Sequence, residues 1–114
     1  MRMRKMKNLD SRMERCAALR VAEPARLRGN WRSLKPDAAQ LWVEVGCGKG
    51  KFTAETAAAN PDVLMIAVER CREAMVVAME KAQSMNLTNV FYIDTSFPGC
   101  GRYLLSQGIC NLFR

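Results

Sequence analysis

The chain has 114 residues, enough for one compact domain and too few for two. Hydrophobic residues make up 49% and charged residues 25%, with seven Gly and four Pro, which excludes wholesale disorder and a fibrous repeat. The net charge of +7 is unevenly spread: residues 1–35 hold eleven Lys and Arg against Asp10, Glu14 and Glu23, a net +8, whereas the remaining 79 residues hold seven bases against eight acids.

The amino-terminal stretch comes first. Its Arg2, Arg4, Lys5 and Lys7 concentrate positive potential where a polyanion could release counterions on docking, so nucleic acid is the first partner to consider and an anionic membrane the second. A solvated face with no partner is the bland alternative. The opening has the charge of a signal-peptide start, but Asn8-Leu9-Asp10-Ser11-Arg12 stands where an apolar run would be needed. No stretch approaches the roughly 20 apolar residues of a membrane span, so the cytoplasm is the expected location and no membrane partner is expected. The five cysteines are odd in number and lack a Cys-x-x-Cys pair, and there is no His, so free thiols and no metal site are expected. Residues 11–20 are predicted to form a short helix, capped by Asp10 or Ser11, with Met13, Cys16, Ala17 and Arg20 on one face. Glu23-Pro24 ends it, and residues 28–37, rich in turn formers, read as a connecting loop that closes an arm of residues 1–38.

From residue 39 the pattern becomes βαβαβ. Leu41-Trp42-Val43-Glu44-Val45 is a short apolar run leading into glycines, as a buried strand ending in a tight turn would be. Residues 51–60 are rich in Ala and closed by Pro61, which disfavours the α conformation at the residue before it. Leu64 to Val68 is the second strand. Residues 71–85 give the clearest helix, since Met75, Ala78, Met79, Ala82 and Met85 recur at the spacing of one apolar face. Val90 to Asp94 is the third strand. Alternation of this kind predicts an α/β fold with a parallel, partial Rossmann-like sheet. Residues 95–114 show no fourth strand, so they read as a divergent tail in which a truncation or a shifted reading frame is expected near residue 95.

The chemistry concentrates in Glu44-Val45-Gly46-Cys47-Gly48-Lys49-Gly50-Lys51-Phe52, an acid followed by three glycines at alternate positions between strand and helix. Glycine permits positive φ and lets backbone approach a ligand, and in open α/β sheets this turn lies where ligands bind. A dinucleotide fingerprint fails in both registers, because its last glycine position falls on Lys51 or Thr53. A phosphate loop fails too, since neither Lys49 nor Lys51 is followed by Ser or Thr. Glu69, at the end of the second strand, is placed where a carboxylate can accept both hydroxyls of a ribose. Taken alone it could equally be a surface acid paired with Arg70 or Arg72. Glu44 could stabilise the glycine turn or meet a cationic ligand group, and a carboxylate in a buried strand needs some such partner.

The acid-Gly-x-Gly-x-Gly arrangement resembles the first motif of Rossmann-like (class I) methyltransferases, whose cofactor is S-adenosyl-L-methionine. More specifically, Met1-Arg2-Met3-Arg4-Lys5, Arg12 to Cys16, Gly29-Asn30-Trp31-Arg32, Leu41 to Phe52, Ala67 to Arg70 and Ala78 to Ala82 look like the bacterial tRNA (guanine-N7)-methyltransferase family, over residues 1 to about 94. The resemblance implies methyl transfer to guanine N7 in tRNA, a monomer for the full-length protein, cofactor contacts from Glu44, Gly46, Gly48, Gly50 and Glu69, and RNA contacts from Arg2, Arg4, Lys5 and Lys7. A third acid of the family falls by ungapped match on Ser96, for which Asp94 on the same strand face could substitute. The family's Asp-Pro-Trp-Pro signature with its catalytic aspartate does not occur here. The chain is therefore expected to be a fragment inactive alone. Its rivals are a non-catalytic RNA- or cofactor-binding fragment, a methyltransferase of another substrate class and a nicotinamide-dependent fragment.

Overall fold

The computed structural model describes residues 7–22, 24–27 and 30–94. The apolar runs become three parallel strands, β1 (Gln40–Val45), β2 (Val63–Glu69) and β3 (Val90–Asp94), hydrogen-bonded in the order β1-β2-β3. Helix α2 (Lys51–Ala59) connects the first two strands and α3 (Arg72–Ser84) the second and third. The register aligns Glu44 with Ala67 and Val45 with Val68, and Ala67 with Tyr92 and Glu69 with Asp94. Every residue of β2 is buried, as a central strand covered on both faces must be.

One face carries Met65, Ala67, Val90 and Tyr92, and packs against Met75, Val76, Met79 and Ala82 of α3 and Ala57 of α2. The amino-terminal helix α1 (Leu9–Arg15) joins this layer through Met13, and Cys16 and Leu19 follow it into the same core. The opposite face, Leu41, Val43, Leu64, Ile66, Val68 and Ile93, is covered by Trp31, with Val21, Leu27, Leu34 and Ala38 around it. Residues 31–34, within the stretch expected to be a connecting loop, form a short 3₁₀ helix that buries Trp31. Burying that indole offsets the cost of ordering the segment.

The helix expected over residues 11–20 begins earlier and ends sooner. Asn8 starts it in the left-handed conformation, φ 58°, with no side-chain cap, so neither Asp10 nor Ser11 is the cap. Its last turn tightens into a 3₁₀ segment, Ala17–Leu19, so Leu19 joins Met13 and Cys16 in the core while Ala17 is exposed. Beyond it, the Val21 N–H donates to the Tyr92 carbonyl at 2.9 Å and Arg20 forms a parallel bridge with Tyr92. The segment thereby adds a short ladder to the outer edge of β3.

Candidate functional site

At the end of β1 the chain turns through Gly46 (φ 76°), Gly48 (φ 58°) and Gly50 (φ 82°), all in the left-handed region that side-chain-bearing residues avoid. The Gly46 N–H donates to the Val68 carbonyl at 2.8 Å, and the Gly50 N–H to the Cys47 carbonyl at 3.0 Å, closing a turn that delivers Gly50 to the start of α2. The three glycines do different work. A Cβ on Gly46 or Gly48 would meet nothing within 4 Å, whereas one on Gly50 would stand 2.5 Å from the Ala78 Cβ. Gly50 therefore sets how closely α2 approaches α3, and Gly46 and Gly48 leave open space.

That space is a cleft of about 510 Å³ lined by Gly46, Gly48, Glu69, Arg70, Cys71 and Ala74. Glu69, only 8% exposed, is fixed at its wall by two backbone donors: the Gly48 N–H reaches Oε1 at 2.7 Å and the Cys71 N–H reaches Oε2 at 2.9 Å. One carboxylate thus ties the glycine turn to the start of α3. A carboxylate has about four acceptor sites, so roughly two remain for a ligand's hydroxyls.

Glu44 lies beneath the turn and not on the cleft wall. It is 7% exposed, its Oε1 is closed off from solvent and has no hydrogen-bond partner among the described residues, and burial pushes its carboxyl above the ordinary range. It shares a row of the sheet with Ala67 and Tyr92, whose hydroxyl also lacks a described partner and is pushed up by burial and by the nearby Cys47 and Glu44. Burial, reinforced by Glu69 and Glu44, raises the Cys47 thiol to about 12, so it stays protonated and is no nucleophile at neutral pH. An orphaned buried acceptor of this kind suits an ammonium or other donor entering from the turn.

Asp94 ends β3 beside Glu69 in the register and faces Arg72, with Oδ2 3.5 Å from Nε. Lys7 is exposed just before α1, whereas Arg2, Arg4, Lys5 and Ser96 fall outside the described residues. Two contributors escape a reading of the sequence: Cys71, which matters through its backbone N–H, and Ala74, which matters by being small. Their signal is positional, since both follow closely on the acid that ends β2. Among the described residues no cluster of three His, Cys, Asp or Glu could hold a metal ion, and no helix is long and apolar enough to cross a membrane.

Comparison with known proteins gives the family. A family model described as "Putative methyltransferase" matches residues 38–107. The chain belongs to this methyltransferase family. Among curated relatives, the tRNA (guanine-N(7)-)-methyltransferase of Levilactobacillus brevis is 39% identical over 93 residues, which are 82% of this chain and 43% of the relative. That of Halalkalibacterium halodurans is 36% identical over 74 residues, 65% of this chain and 34% of the relative. The methyltransferase chain thus spans about two fifths or less of the length of these relatives. In structure it is similar to the antibiotic-resistance methyltransferase Kmr, with a TM-score of 0.51 and 24% identity over 60% of this chain and 37% of that one. The fold is therefore the partial Rossmann-like fold of a methyltransferase.

Proposed function

We propose that this chain is the cofactor-binding part of a tRNA (guanine-N7)-methyltransferase that uses S-adenosyl-L-methionine and works in the cytoplasm. The observation that carries the reading is Glu69, held by the Gly48 and Cys71 N–H groups at the wall of a cleft whose other side is side-chain-free glycine. Such a carboxylate is oriented before any ligand arrives, so it accepts two ribose hydroxyls without losing conformational freedom. Glu44, buried with no partner for Oε1 among the described residues, fits the cofactor's ammonium, and Gly46 and Gly48 leave room for its amino acid tail. The names of the relatives support the guanine-N7 acceptor, and the basic stretch from Arg2 to Lys7 supports a phosphate backbone as the surface gripped.

When bound, S-adenosyl-L-methionine would supply a methyl group on a sulfonium, the carbon–sulfur bond breaking as a purine nitrogen takes the methyl in line and S-adenosylhomocysteine leaves. N7 offers a lone pair, so the chain's residues need not remove a proton from it. Their part is to hold the cofactor's adenosyl and amino acid ends and so fix the direction of the methyl group. Asp94 or Ser96 would complete the contacts at the third strand. Calorimetric titration with S-adenosylhomocysteine tests the reading: the 114-residue chain should bind it, and Glu69→Gln should weaken binding at least tenfold. Unchanged affinity in Glu69→Gln, or binding of NAD in its place, would overturn it.

A further inference from the structure

A second cavity lies on the other side of the first turn of α3, between α1 and residues 17–22. Its volume is about 340 Å³, and it is lined by Asp10, Glu14, Arg20 and Arg72 over an apolar wall that includes Met13 and Ala17. None of its lining residues lines the glycine cleft, although Arg72 stands between Cys71 and Ala74, which do. We propose that this cavity binds an unpaired nucleobase of the RNA, with guanine preferred over the other bases. The RNA comes from the function proposed above, while the base preference comes from the cavity itself.

Each of its two arginines has one buried donor without a hydrogen bond among the described residues: Arg20 Nε and Arg72 Nε are both closed off from solvent. Arg72 forms ion pairs with Asp94, 3.5 Å from Nε, and with Asp10, 3.8 Å from Nη2, both longer than a well-formed hydrogen bond. Arg20 is anchored by its backbone bridge to Tyr92, so its guanidinium departs from a fixed point. Each Nε–H can therefore take an acceptor.

A phosphate is the wrong acceptor here. Asp10 and Glu14 line the same space and Asp94 is ion-paired with Arg72, so a further anion would meet arginines whose charge is already matched by carboxylates. A neutral ligand with acceptors on one edge and donors on another meets both kinds of wall. Guanine presents O6 and N7 to a guanidinium, and its N1–H and N2 amino group to a carboxylate. Adenine sets one acceptor beside its amino group on both its Hoogsteen and Watson–Crick edges, and cytosine, which can offer N3 and O2 to a guanidinium, has only its N4 amino group left for a carboxylate. The apolar wall suits the flat face of a base, as in recognition of single-stranded RNA. Because the space is separate from the glycine cleft, a base held here docks the RNA and is not the methyl acceptor.

The test records the arginine Nε–H resonances of the ¹⁵N-labelled chain during titration with GMP, AMP and inorganic phosphate. GMP should shift the Arg20 and Arg72 signals saturably, AMP several-fold more weakly, and phosphate not at all. Arg20→Lys, and separately Asp10→Asn on an exposed side chain, should weaken GMP at least fivefold while leaving S-adenosylhomocysteine binding unchanged. Phosphate shifting both signals as GMP does would replace the base site by an oxyanion site and overturn the proposal. So would still signals under GMP, or displacement of GMP by S-adenosylhomocysteine. If the homocysteine derivative fails to bind while GMP moves both arginines, it is the cofactor reading that falls and the base site that stands.

Discussion

Gly50 cannot accept a side chain, for two independent reasons. Its φ of 82° costs an L-residue about 1–2 kcal/mol, and a Cβ would overlap the Ala78 Cβ at 2.5 Å and Cα at 2.8 Å, adding roughly 1–3 kcal/mol of overpacking. Gly50→Ala should therefore lose roughly 2–5 kcal/mol in denaturant unfolding. Adding Ala78→Gly should recover part of that loss although Gly in a helix interior costs about 1 kcal/mol by itself. Losses that simply add in the double variant would refute the contact. Glu44 calls for a pH experiment. Its folded pKa is raised by burial, so its contribution to stability is full below the ordinary carboxylate value of 4.5 and is lost as pH rises through the folded value. Glu80, held down chiefly by its hydrogen bond from Arg12, has the opposite sign: its contribution is present above 4.5 and lost as pH falls through its folded value. Glu44→Gln should accordingly be more stable than the parent at pH 7 without ligand, with the gap closing as the pH is lowered to 4.5, as thermal melts across that range would show. A gap independent of pH would mean that Glu44 is not the titrating group.

Among the elements, the strands and the two long helices are legible in the sequence because their signals are local. Apolar runs of five to seven residues mark β1, β2 and β3 within a residue at each end, and the Met75, Ala78, Met79, Ala82 spacing marks the buried face of α3. What holds the elements together is less legible, because it depends on residues distant in sequence. Trp31 has no periodic neighbours to announce it, yet it seals one face of the sheet. Gly50 reads as one of three equivalent glycines until Ala78 is seen against it. Asn89 reads as a turn residue, but its buried side-chain amide donates to the carbonyls of Ala57, Asn60 and Val63 at 2.9, 3.0 and 3.0 Å, tying the end of α2 and the start of β2 to the start of β3. Two amide hydrogens serve three acceptors, so one is shared. Asn89→Ala should cost about 2–3 kcal/mol, because it leaves buried carbonyls unpaired. Asn89→Asp should cost more, since it turns a carboxylate oxygen toward those same carbonyls. Chemical denaturation of both variants ranks them, and the reverse order would show that the donor is not what matters.

For the whole molecule, the two edges of the sheet are unlike. The outer edge of β3 is paired by Arg20 and Val21, so the amino-terminal segment satisfies part of it. β1 pairs only with β2 among the described residues, and exposed apolar surface follows at its end: Val45 is 58% exposed and Phe52, at the start of α2, 51%. This six-residue edge carries one strongly exposed apolar side chain, Val45, and no Lys or Pro, and its single charged residue is the inward-pointing Glu44. Two copies meeting edge to edge about a twofold axis would bring their β1 strands side by side and cover both Val45 side chains. The isolated 114-residue chain should therefore associate as its concentration rises, and sedimentation equilibrium should follow a monomer–dimer isotherm. Val45→Lys, at a position too exposed to contribute much to the core, should shift that isotherm toward monomer with little change in thermal stability. A single monomeric species throughout, or association untouched by Val45→Lys, would mean that this edge is not the adhesive surface.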